Sequence, residues 1–379
     1  MRLPPALPAI APLAPLPHVA ASELHHLLEC PLHYVLDRDA QLRRLQPYAG
    51  AAIVGTAAHA TLAALTRAFV DGAPGVKDST RSVARKLFDA ALERECLRRD
   101  KAIAERGELP GDSRESPPEL PFYGLTRARL ARLAEERFGA RWCCAPPRLA
   151  SRSGQESAGE GSRAPRIVEV EYPLRSRDGL VRGIADSIDG RNGQLVIEEL
   201  KSGEATPERL AIWRQQLLIY AELYRELHGL LPGMLRVQSL PSGVHEFSCT
   251  AEECAQAADG ARAALLDLNR RIEDGATIRD LARPSAKACA NCAHRPWCEA
   301  YWTEGMPGST GSDFTGTVSR TDGWETTLVL DGGQEVRVDF KAVQLVPAAG
   351  SRLRVCGVRA DSASPVRCGR NTAVWRVPL

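Results

Sequence analysis

The chain has 379 residues, which is enough for two or three domains with a substantial apolar core. Its formal net charge is only +2, which excludes a globally basic protein that attracts nucleic acid over its whole surface. The 11 cysteines are an odd number in a large chain, and three of them fall within ten residues. This distribution argues against a secreted disulfide scaffold and favours metal binding.

The first 20 residues are apolar but contain six prolines. They lack the continuous hydrophobic stretch of a signal peptide, so we predict a flexible tail over residues 1–20. No other segment approaches the roughly 18 apolar residues that a membrane-spanning helix needs. We therefore expect a cytoplasmic protein without membrane attachment, in which reduced thiols are available as metal ligands.

Helical patterns dominate the region up to residue 140. Ser22 is a plausible N-cap for a helix that runs to about Asp37. Apolar spacing predicts three further helices, at 54–70, 80–105 and 124–140. The content of Pro, Gly and Ser predicts a loop over 108–122 and a mobile segment over 151–166.

The pattern then changes to strands that are separated by turn residues. RIVEVEYPL, LVRGIADSID and QLVIEELK predict three successive strands. A helix over 206–228, a strand near 233–240 and a helix over 251–274 follow. This order predicts an α/β fold with a mixed central sheet that is flanked by helices.

The C-terminal region alternates apolar and polar residues, with turn signals every eight to twelve positions. This pattern predicts a small all-β module over residues 310–379, and an OB-type barrel is one form that such a module takes. Barrels of that type stack bases on aromatic side chains, and Trp324 and Trp375 are candidates. In so small a module, tryptophans are more commonly core residues.

The segment VIEELKSG carries the most informative chemistry. Side chains alternate along a strand, so Glu199 and Lys201 point to one face and Glu198 and Leu200 to the other. Asp186 lies one strand earlier, where a hairpin brings it beside Glu199. Two carboxylates can hold Mg²⁺ or Mn²⁺ for phosphodiester cleavage, and a lysine can orient the attacking water. Taken alone, Glu-x-Lys on a strand is more commonly a surface ion pair.

The order of these residues resembles the Asp…Glu-x-Lys core of RecB-like nucleases in the PD-(D/E)XK superfamily, although Ala185 stands where the superfamily name has proline. His59 in GTAAHATLAAL is similar to the family's helical histidine. Gln216 and Tyr220 in QLLIY resemble its Q-x-x-x-Y element. The resemblance implies that Lys201 acts on the attacking water and that Gln216 and Tyr220 position the DNA backbone. It also implies a set of ligands for Mg²⁺ or Mn²⁺: His59, Asp186, Glu199 and the backbone carbonyl of Leu200.

The cysteines offer a second constellation. Cys289, Cys292 and Cys298 form C-x2-C-x5-C, one ligand short of a four-thiolate site. His294 could complete a zinc site, so a zinc knuckle is one alternative. The other is an iron–sulfur cluster, because Cys30 in the pattern S-x-x-L-x-x-x-x-x-C-P-x-x-Y resembles the iron–sulfur subgroup of RecB-like nucleases. That subgroup includes the AddB nuclease domain and CRISPR-associated RecB-like exonucleases. The resemblance implies that all four cysteines bind one [4Fe–4S] cluster, which links distant parts of the chain.

The resemblance covers roughly residues 20–303 and implies a nuclease domain over 21–305. In such a domain, helices surround the central sheet, and the iron–sulfur cluster connects the two ends of the domain. Its implied activity is a metal-dependent deoxyribonuclease, with exonuclease action on single-stranded DNA or DNA ends, in repair, recombination, CRISPR-type processing or anti-phage defence. The alternative is a non-cleaving adaptor that binds single-stranded DNA and recruits a helicase or integrase. The chain has no G-x-x-x-x-G-K-[ST] motif, so any unwinding would come from a partner such as a helicase.

Overall fold

The computed structural model describes residues 3–46, 48–70, 78–109, 112, 115–142, 168–191, 194–290, 292–304, 313–358, 365–369 and 372–377. The predicted mobile segment 151–166 lies outside these residues. Within the described ranges, no helix combines the length and the apolar character that crossing a bilayer requires.

Helices dominate the first part of the chain. After the short strand β1 (Val19–Ala20), the chain forms a 3-10 turn (Ala21–Glu23), α1 (Leu24–Glu29), α2 (Pro31–Leu36), α3 (Ala40–Arg44), α4 (Gly50–Val70), α5 (Thr80–Arg106), a second 3-10 turn (Pro117–Glu119) and α6 (Tyr123–Trp142). The single helix predicted from Ser22 to Asp37 is wrong. Cys30 has extended dihedrals (φ −151°, ψ 99°) and separates α1 from α2. The cause is Pro31, because proline disfavours the helical conformation of the residue before it.

The central sheet contains the four predicted strands, including the one predicted near 233–240, and two others. Its strands are β1, β2 (Val168–Arg175), β3 (Val181–Arg191), β4 (Gln194–Lys201), β5 (Met234–Ser239) and β6 (Gly243–Phe247). They lie in the order β1-β3-β4-β5-β6, and β2 pairs with β3 as well. The helix α7 (Pro207–His228) connects the parallel strands β4 and β5. β6 was not predicted, because it is a short, largely exposed strand without an apolar stripe.

Helices cover both faces of this sheet. α7 and α8 (Ala251–Glu273) pack on one face, in a core that includes Ile188, Ile197 and Leu235. On the other face Leu200 packs with residues of α4 and α5, including Val54 and Leu92. The chain therefore has the predicted α/β layers, with β4 between two helical layers.

The N-terminal segment is docked, which differs from the flexible tail that we expected for residues 1–20. The backbone N–H of Leu16 donates to Asn269 Oδ1 at 2.7 Å, and Asn269 Nδ2 donates to the Leu16 carbonyl at 2.8 Å. Farther upstream, the N–H of Leu7 donates to the carbonyl of Arg376 at 2.8 Å. Apolar residues of the segment pack against the main core: Leu7, Ile10, Leu13 and Leu16. The prolines prevent helix formation but are compatible with this extended path.

A second sheet follows a group of short helical segments. These segments are α9 (Ile278–Leu281), α10 (Ala286–Ala290), a 3-10 turn (Arg295–Trp297) and α11 (Glu299–Thr303). The strands are β7 (Phe314–Asp322), β8 (Glu325–Leu330), β9 (Glu335–Asp339), β10 (Arg352–Cys356), β11 (Val366–Arg367) and β12 (Ala373–Val377), in the order β11-β9-β8-β7-β10-β12. The strand pairings among the described residues end at β11 and β12 and do not close a barrel, and Ala6 of the N-terminal segment pairs with Arg376 on the outer side of β12.

The second sheet packs on the cysteine loop, the segment 289–298 that contains Cys289, Cys292 and Cys298. Trp375 is buried, and its ring centroid lies 5.1 Å from that of Trp297. Arg354 Nη1 donates to the carbonyl of Pro296 at 2.6 Å. Trp375 is therefore a packing residue, and the stacking role considered for it is wrong.

Candidate nuclease site

The predicted acidic residues lie beside a gap in the central sheet. β1 pairs with Val181 and Arg182, whereas β4 pairs with β3 only from Ser187 onward. Both strands lie on the same edge of β3, so residues 183–186 have no described strand beside them on that edge. Asp186 lies at the end of this gap, and its Oδ2 accepts the Leu200 backbone N–H at 2.7 Å. The Asp186 side chain thus accepts the N–H that a backbone carbonyl of β3 would accept in a regular sheet, at the point where β3 and β4 separate.

The other edge of β3, where it pairs with β2, is also irregular at Asp186. The pairing of β2 with β3 is interrupted at Glu171 and Asp186. Glu171 has φ 51°, in the left-handed region that non-glycine residues seldom occupy. Backbone strain of this kind clusters at functional sites, where the surrounding structure maintains it.

His59 reaches this point from α4. Its Nδ1 lies 3.2 Å from the Asp186 carboxylate. Burial lowers the pKa of His59, but the hydrogen bond to Asp186 and its negative charge outweigh burial, so that the pKa lies above its ordinary value. A small cleft forms between α4 and the sheet, and His59, Thr66, Glu171 and Asp186 are among the residues that line it.

The other predicted residues form a buried hydrogen-bond network on the α7 side. Lys201 Nζ donates to Glu199 Oε1 at 2.9 Å and to Gln216 Oε1 at 3.0 Å. Gln216 Nε2 donates to Glu199 Oε1 at 2.9 Å and to Tyr220 Oη at 2.8 Å. Glu199 and Lys201 therefore share a face, as strand alternation predicts, and α7 supplies both partners from positions i and i+4.

Gly183 gives Tyr220 access to the gap. A Cβ at position 183 would lie 2.2 Å from Tyr220 Cε1, closer than any carbon contact allows. Tyr220 Oη also makes a hydrogen bond with the backbone of Ile184, inside the gap. Burial and the charge of Glu199 raise the pKa of Tyr220 well above its ordinary value, so the phenol is neutral.

The donor set suits a hard divalent cation. Glu199 Oε2 is buried and has no hydrogen-bond partner among the described residues. Burial and the charge of Asp186 raise the pKa of Glu199, and Lys201 and His59 act in the opposite direction. Mg²⁺ and Mn²⁺ prefer such carboxylate oxygens, and a cation would satisfy the orphaned atom.

The structure brings the predicted ligands together as two adjoining pairs. His59 meets Asp186, whereas Glu199 Oε1 is held by Lys201 and Gln216. Within the described chain, the ligand atoms of His59, Asp186 and Glu199 do not all lie within 4.8 Å of one another. Leu200 contributes its N–H to Asp186, while its side chain is buried against α4.

Comparison with known proteins identifies this arrangement. A family model for the PD-(D/E)XK nuclease superfamily matches residues 18–299, a range that contains every residue of the site. This chain belongs to the PD-(D/E)XK nuclease superfamily. Membership implies a metal-dependent nuclease, and nucleases of this superfamily typically use divalent ions such as Mg²⁺ or Mn²⁺.

Two further comparisons add little to this assignment. No curated protein matches the nuclease in sequence. A solved structure titled "Crystal structure of SSO0001" is similar over 35% of this chain and 60% of that chain, with 17% identity and a TM-score of 0.23. The chain thus spans less than two thirds of the length of that protein.

Four cysteines of the nuclease converge on one cleft. Cys30, Cys289, Cys292 and Cys298 all line this cleft. Burial raises the pKa of Cys292 to about 12 and that of Cys298 to about 11. Backbone hydrogen bonds act in the opposite direction, and the Arg283 N–H lies 3.5 Å from Cys30 Sγ. Four thiols that line one cleft suit a metal centre, which stabilises the thiolate form.

The spacing of these sulfurs does not match a single zinc ion. Four thiolates at 2.3 Å from one tetrahedral ion would lie about 3.8 Å apart. Among the described cysteines, no three sulfurs lie within 4.8 Å of one another.

Sequence reasoning missed three residues of the nuclease cleft: Thr66, Glu171 and Ser187. Thr66 follows His59 by seven positions, two turns of α4, so helical spacing could have identified it. Glu171 and Ser187 carry no comparable signal, because their positions depend on the pairing of β2 with β3.

Proposed function

We propose that this nuclease is a RecB-like deoxyribonuclease that requires Mg²⁺ or Mn²⁺ and hydrolyses phosphodiester bonds in single-stranded DNA or at DNA ends. The observation that carries the proposal is the position of Asp186 and Glu199 on the adjoining strands β3 and β4, at the point where these strands separate, with Lys201 bonded to Glu199. His59, Asp186, Glu199 and the carbonyl of Leu200 would hold the ion. When bound, such an ion polarises the phosphate and lowers the pKa of a water molecule.

Lys201 supplies a fixed positive charge at this site. Its Nζ is oriented by Glu199 and Gln216, at 2.9 and 3.0 Å. An ammonium group held in this way can orient the attacking water and stabilise the negative charge that develops on the phosphate.

Gln216 and Tyr220 take a different role from the predicted contact with the DNA backbone. Their side chains are buried, with 3% and 2% of their surface exposed, and they are bonded to each other and to Glu199. This burial supports a positioning role: Tyr220 fixes Gln216, which in turn fixes Glu199 and Lys201.

An arginine pair supports DNA as the substrate. Arg175 and Arg182 are directly opposite each other on β2 and β3, an arrangement of like charges that is unfavourable without an anion. Arg182 Nε is buried without a hydrogen-bond partner among the described residues. Arg182 precedes Asp186 by four strand residues, about 13 Å. A DNA strand could therefore bind the arginines while a phosphate lies at Asp186, and a helicase partner would supply any unwinding.

We further propose that Cys30, Cys289, Cys292 and Cys298 bind one [4Fe–4S] cluster with a structural role. The cluster would connect Cys30 to a loop about 260 residues later, and closing long loops stabilises most. Zinc held with the help of His294 is the alternative, because His294 lines the same cleft and its Nδ1 has no hydrogen-bond partner among the described residues. Its Nε2 lies 2.7 Å from Asp37 Oδ1, a contact that ligating histidines commonly make. Anaerobically purified protein should be brown and contain about four irons per chain. A colourless protein with stoichiometric zinc would contradict the cluster.

The nuclease proposal is tested with matched variants. We expect Asp186→Asn and Lys201→Ala to lower the cleavage of labelled single-stranded DNA about 10³-fold or more, because each removes a group at the reacting phosphate. Lys101→Ala is the control, since Lys101 is exposed on α5 and far from this chemistry. Visible absorption should not change in any variant, and circular dichroism should show that each variant is folded.

Two results would refute the proposal. Cleavage at the wild-type rate by Asp186→Asn or Lys201→Ala would remove these residues from catalysis. Tight DNA binding by the wild-type protein without metal-dependent cleavage would favour the adaptor that recruits a helicase or integrase.

A further inference from the structure

A second group of potential metal ligands lies beside the cysteine cleft. His26 on α1, His33 on α2 and Asp37, which follows α2, place one ligand atom each within 4.8 Å of the other two. His33 also lines the cysteine cleft, together with His294. These residues have no part in the proposed cluster or in the carboxylate–lysine pair.

The distances within this group are those of ligands on one ion. His33 Nε2 lies 3.3 Å and His26 Nδ1 lies 3.6 Å from Asp37 Oδ2. A tetrahedral ion with ligands at 2.0–2.1 Å separates its ligand atoms by about 3.3–3.4 Å. Hydrogen bonds between nitrogen and oxygen are most common at about 2.9–3.0 Å, so both contacts fit shared coordination better than hydrogen bonding.

The surroundings leave the three ligand atoms available. His26 Nδ1 is buried and has no hydrogen-bond partner among the described residues. The imidazole rings of His26 and His33 are stacked, with centroids 4.3 Å apart and planes at 19°. The other oxygen of Asp37, Oδ1, lies 2.7 Å from His294 Nε2. Such a bond to a ligating carboxylate is the usual outer contact of a metal site, and it directs Oδ2 toward the ion.

Local sequence explains how the group forms. His33 and Asp37 are four residues apart, so they share one face of α2. The helix break at Cys30 and Pro31 allows α1 to turn, which brings His26 over the same face. The segment HHLLECPLHYVLD thus contains Cys30 and the three ligands within 13 residues.

We propose that His26, His33 and Asp37 bind one divalent cation of the Zn²⁺ type, with water in the fourth position. Two imidazoles and one carboxylate are a common ligand set for Zn²⁺. The ion would fix α1 against α2 on either side of Cys30, and through Asp37 and His294 it would hold them to the cysteine loop. This proposal is independent of the proposed deoxyribonuclease activity, because its test measures metal content.

The test is titration of the purified full-length protein with Zn²⁺ alone, followed by desalting and elemental analysis. We expect about one zinc per chain in addition to any iron. His26→Ala and His33→Ala should each weaken zinc binding at least tenfold and leave the visible absorption of the cluster unchanged. His25→Ala is the matched control, since His25 is adjacent to His26 and lies outside the ligand group.

Two further measurements keep the result decisive. If an alanine variant fails to fold, Asp37→Asn replaces the ligating oxygen with a similar shape and should also lose zinc. Co²⁺ bound in place of Zn²⁺ should show visible bands without thiolate charge transfer, and Cys298→Ser should retain this spectrum. Unchanged zinc binding in both histidine variants, no zinc binding by the wild type, or thiolate charge transfer with Co²⁺ would each overturn the proposal.

Discussion

Replacing Gly183 with alanine tests the packing on which the lysine–carboxylate network depends. The added Cβ would lie 2.2, 3.0 and 3.1 Å from three atoms of the Tyr220 ring. Carbon contacts are most favourable at about 3.5–4.0 Å, so the ring would have to withdraw by more than about 1 Å. That movement would take Tyr220 Oη away from Gln216 Nε2, which now lies at 2.8 Å.

The expected cost of Gly183→Ala follows from these contacts. Overpacking costs about 1–3 kcal/mol, and the lost hydrogen bond about 0.5–1.5 kcal/mol. Lower unfolded-state entropy offsets up to about 1 kcal/mol of this cost, which leaves a net loss of about 0.5–4.5 kcal/mol. Because Gln216 orients Glu199 and Lys201, and a misplacement of about 1 Å can cost 10²-fold in rate, DNA cleavage should also fall by about that factor.

Urea denaturation and a cleavage assay measure the two effects. Gly260→Ala is the matched control, because Gly260 is exposed on α8 with no atom within 4 Å of an added Cβ. That control should gain up to about 1 kcal/mol. In a Tyr220→Leu background, Gly183→Ala should cost less than half as much, because the clashing ring is gone. Wild-type stability and activity in Gly183→Ala would refute the contact between Tyr220 and the gap.

Three further substitutions test contacts elsewhere, each by urea denaturation. Arg137→Ala should lower the free energy of unfolding by about 2–4 kcal/mol, because among the described ion pairs it leaves buried Glu198 with the 3.5 Å contact to Arg236 of β5. Arg132→Ala is the control, since the ion pair of Arg132 is exposed. A loss in Arg137→Ala that is no larger than the loss in this control would contradict the prediction. Asn269→Ala should cost about 1–2 kcal/mol by releasing the N-terminal segment, whereas a neutral result would restore the flexible tail. Arg354→Ala should cost about 1–3 kcal/mol and make the second sheet more sensitive to proteolysis, and unchanged protection would argue against its docking on the cysteine loop.

Much of the site follows from local rules in the sequence. Strand alternation correctly placed Glu199 and Lys201 on one face, and helix periodicity placed Gln216 and Tyr220 together. The position of Asp186 relative to Glu199 was harder to predict, because a hairpin between β3 and β4 indicates only that the two carboxylates lie near each other. The expectation that these residues form one site together with His59 came from the resemblance to RecB-like nucleases.

Other features depend on pairings between distant parts of the chain. The gap beside Asp186 exists because β1, which lies about 160 residues upstream, pairs with the start of β3. The contact of Asp37 with His294 likewise joins residues 257 positions apart. The docked N-terminal segment was missed because its prolines and apolar residues are equally compatible with a flexible tail, and only its contact with Asn269 and the core distinguishes the two.

The central claim is that the site beside the gap in the sheet is a metal-dependent nuclease centre for DNA. The most direct measurement is cleavage of end-labelled single- and double-stranded DNA by the wild-type protein and by Lys201→Ala, with Mg²⁺ or Mn²⁺ and again with a chelator. We predict cleavage only by the wild-type protein and only with the metal present. Equal cleavage with the chelator, equal cleavage by Lys201→Ala, or no cleavage of either substrate under any condition would contradict the claim.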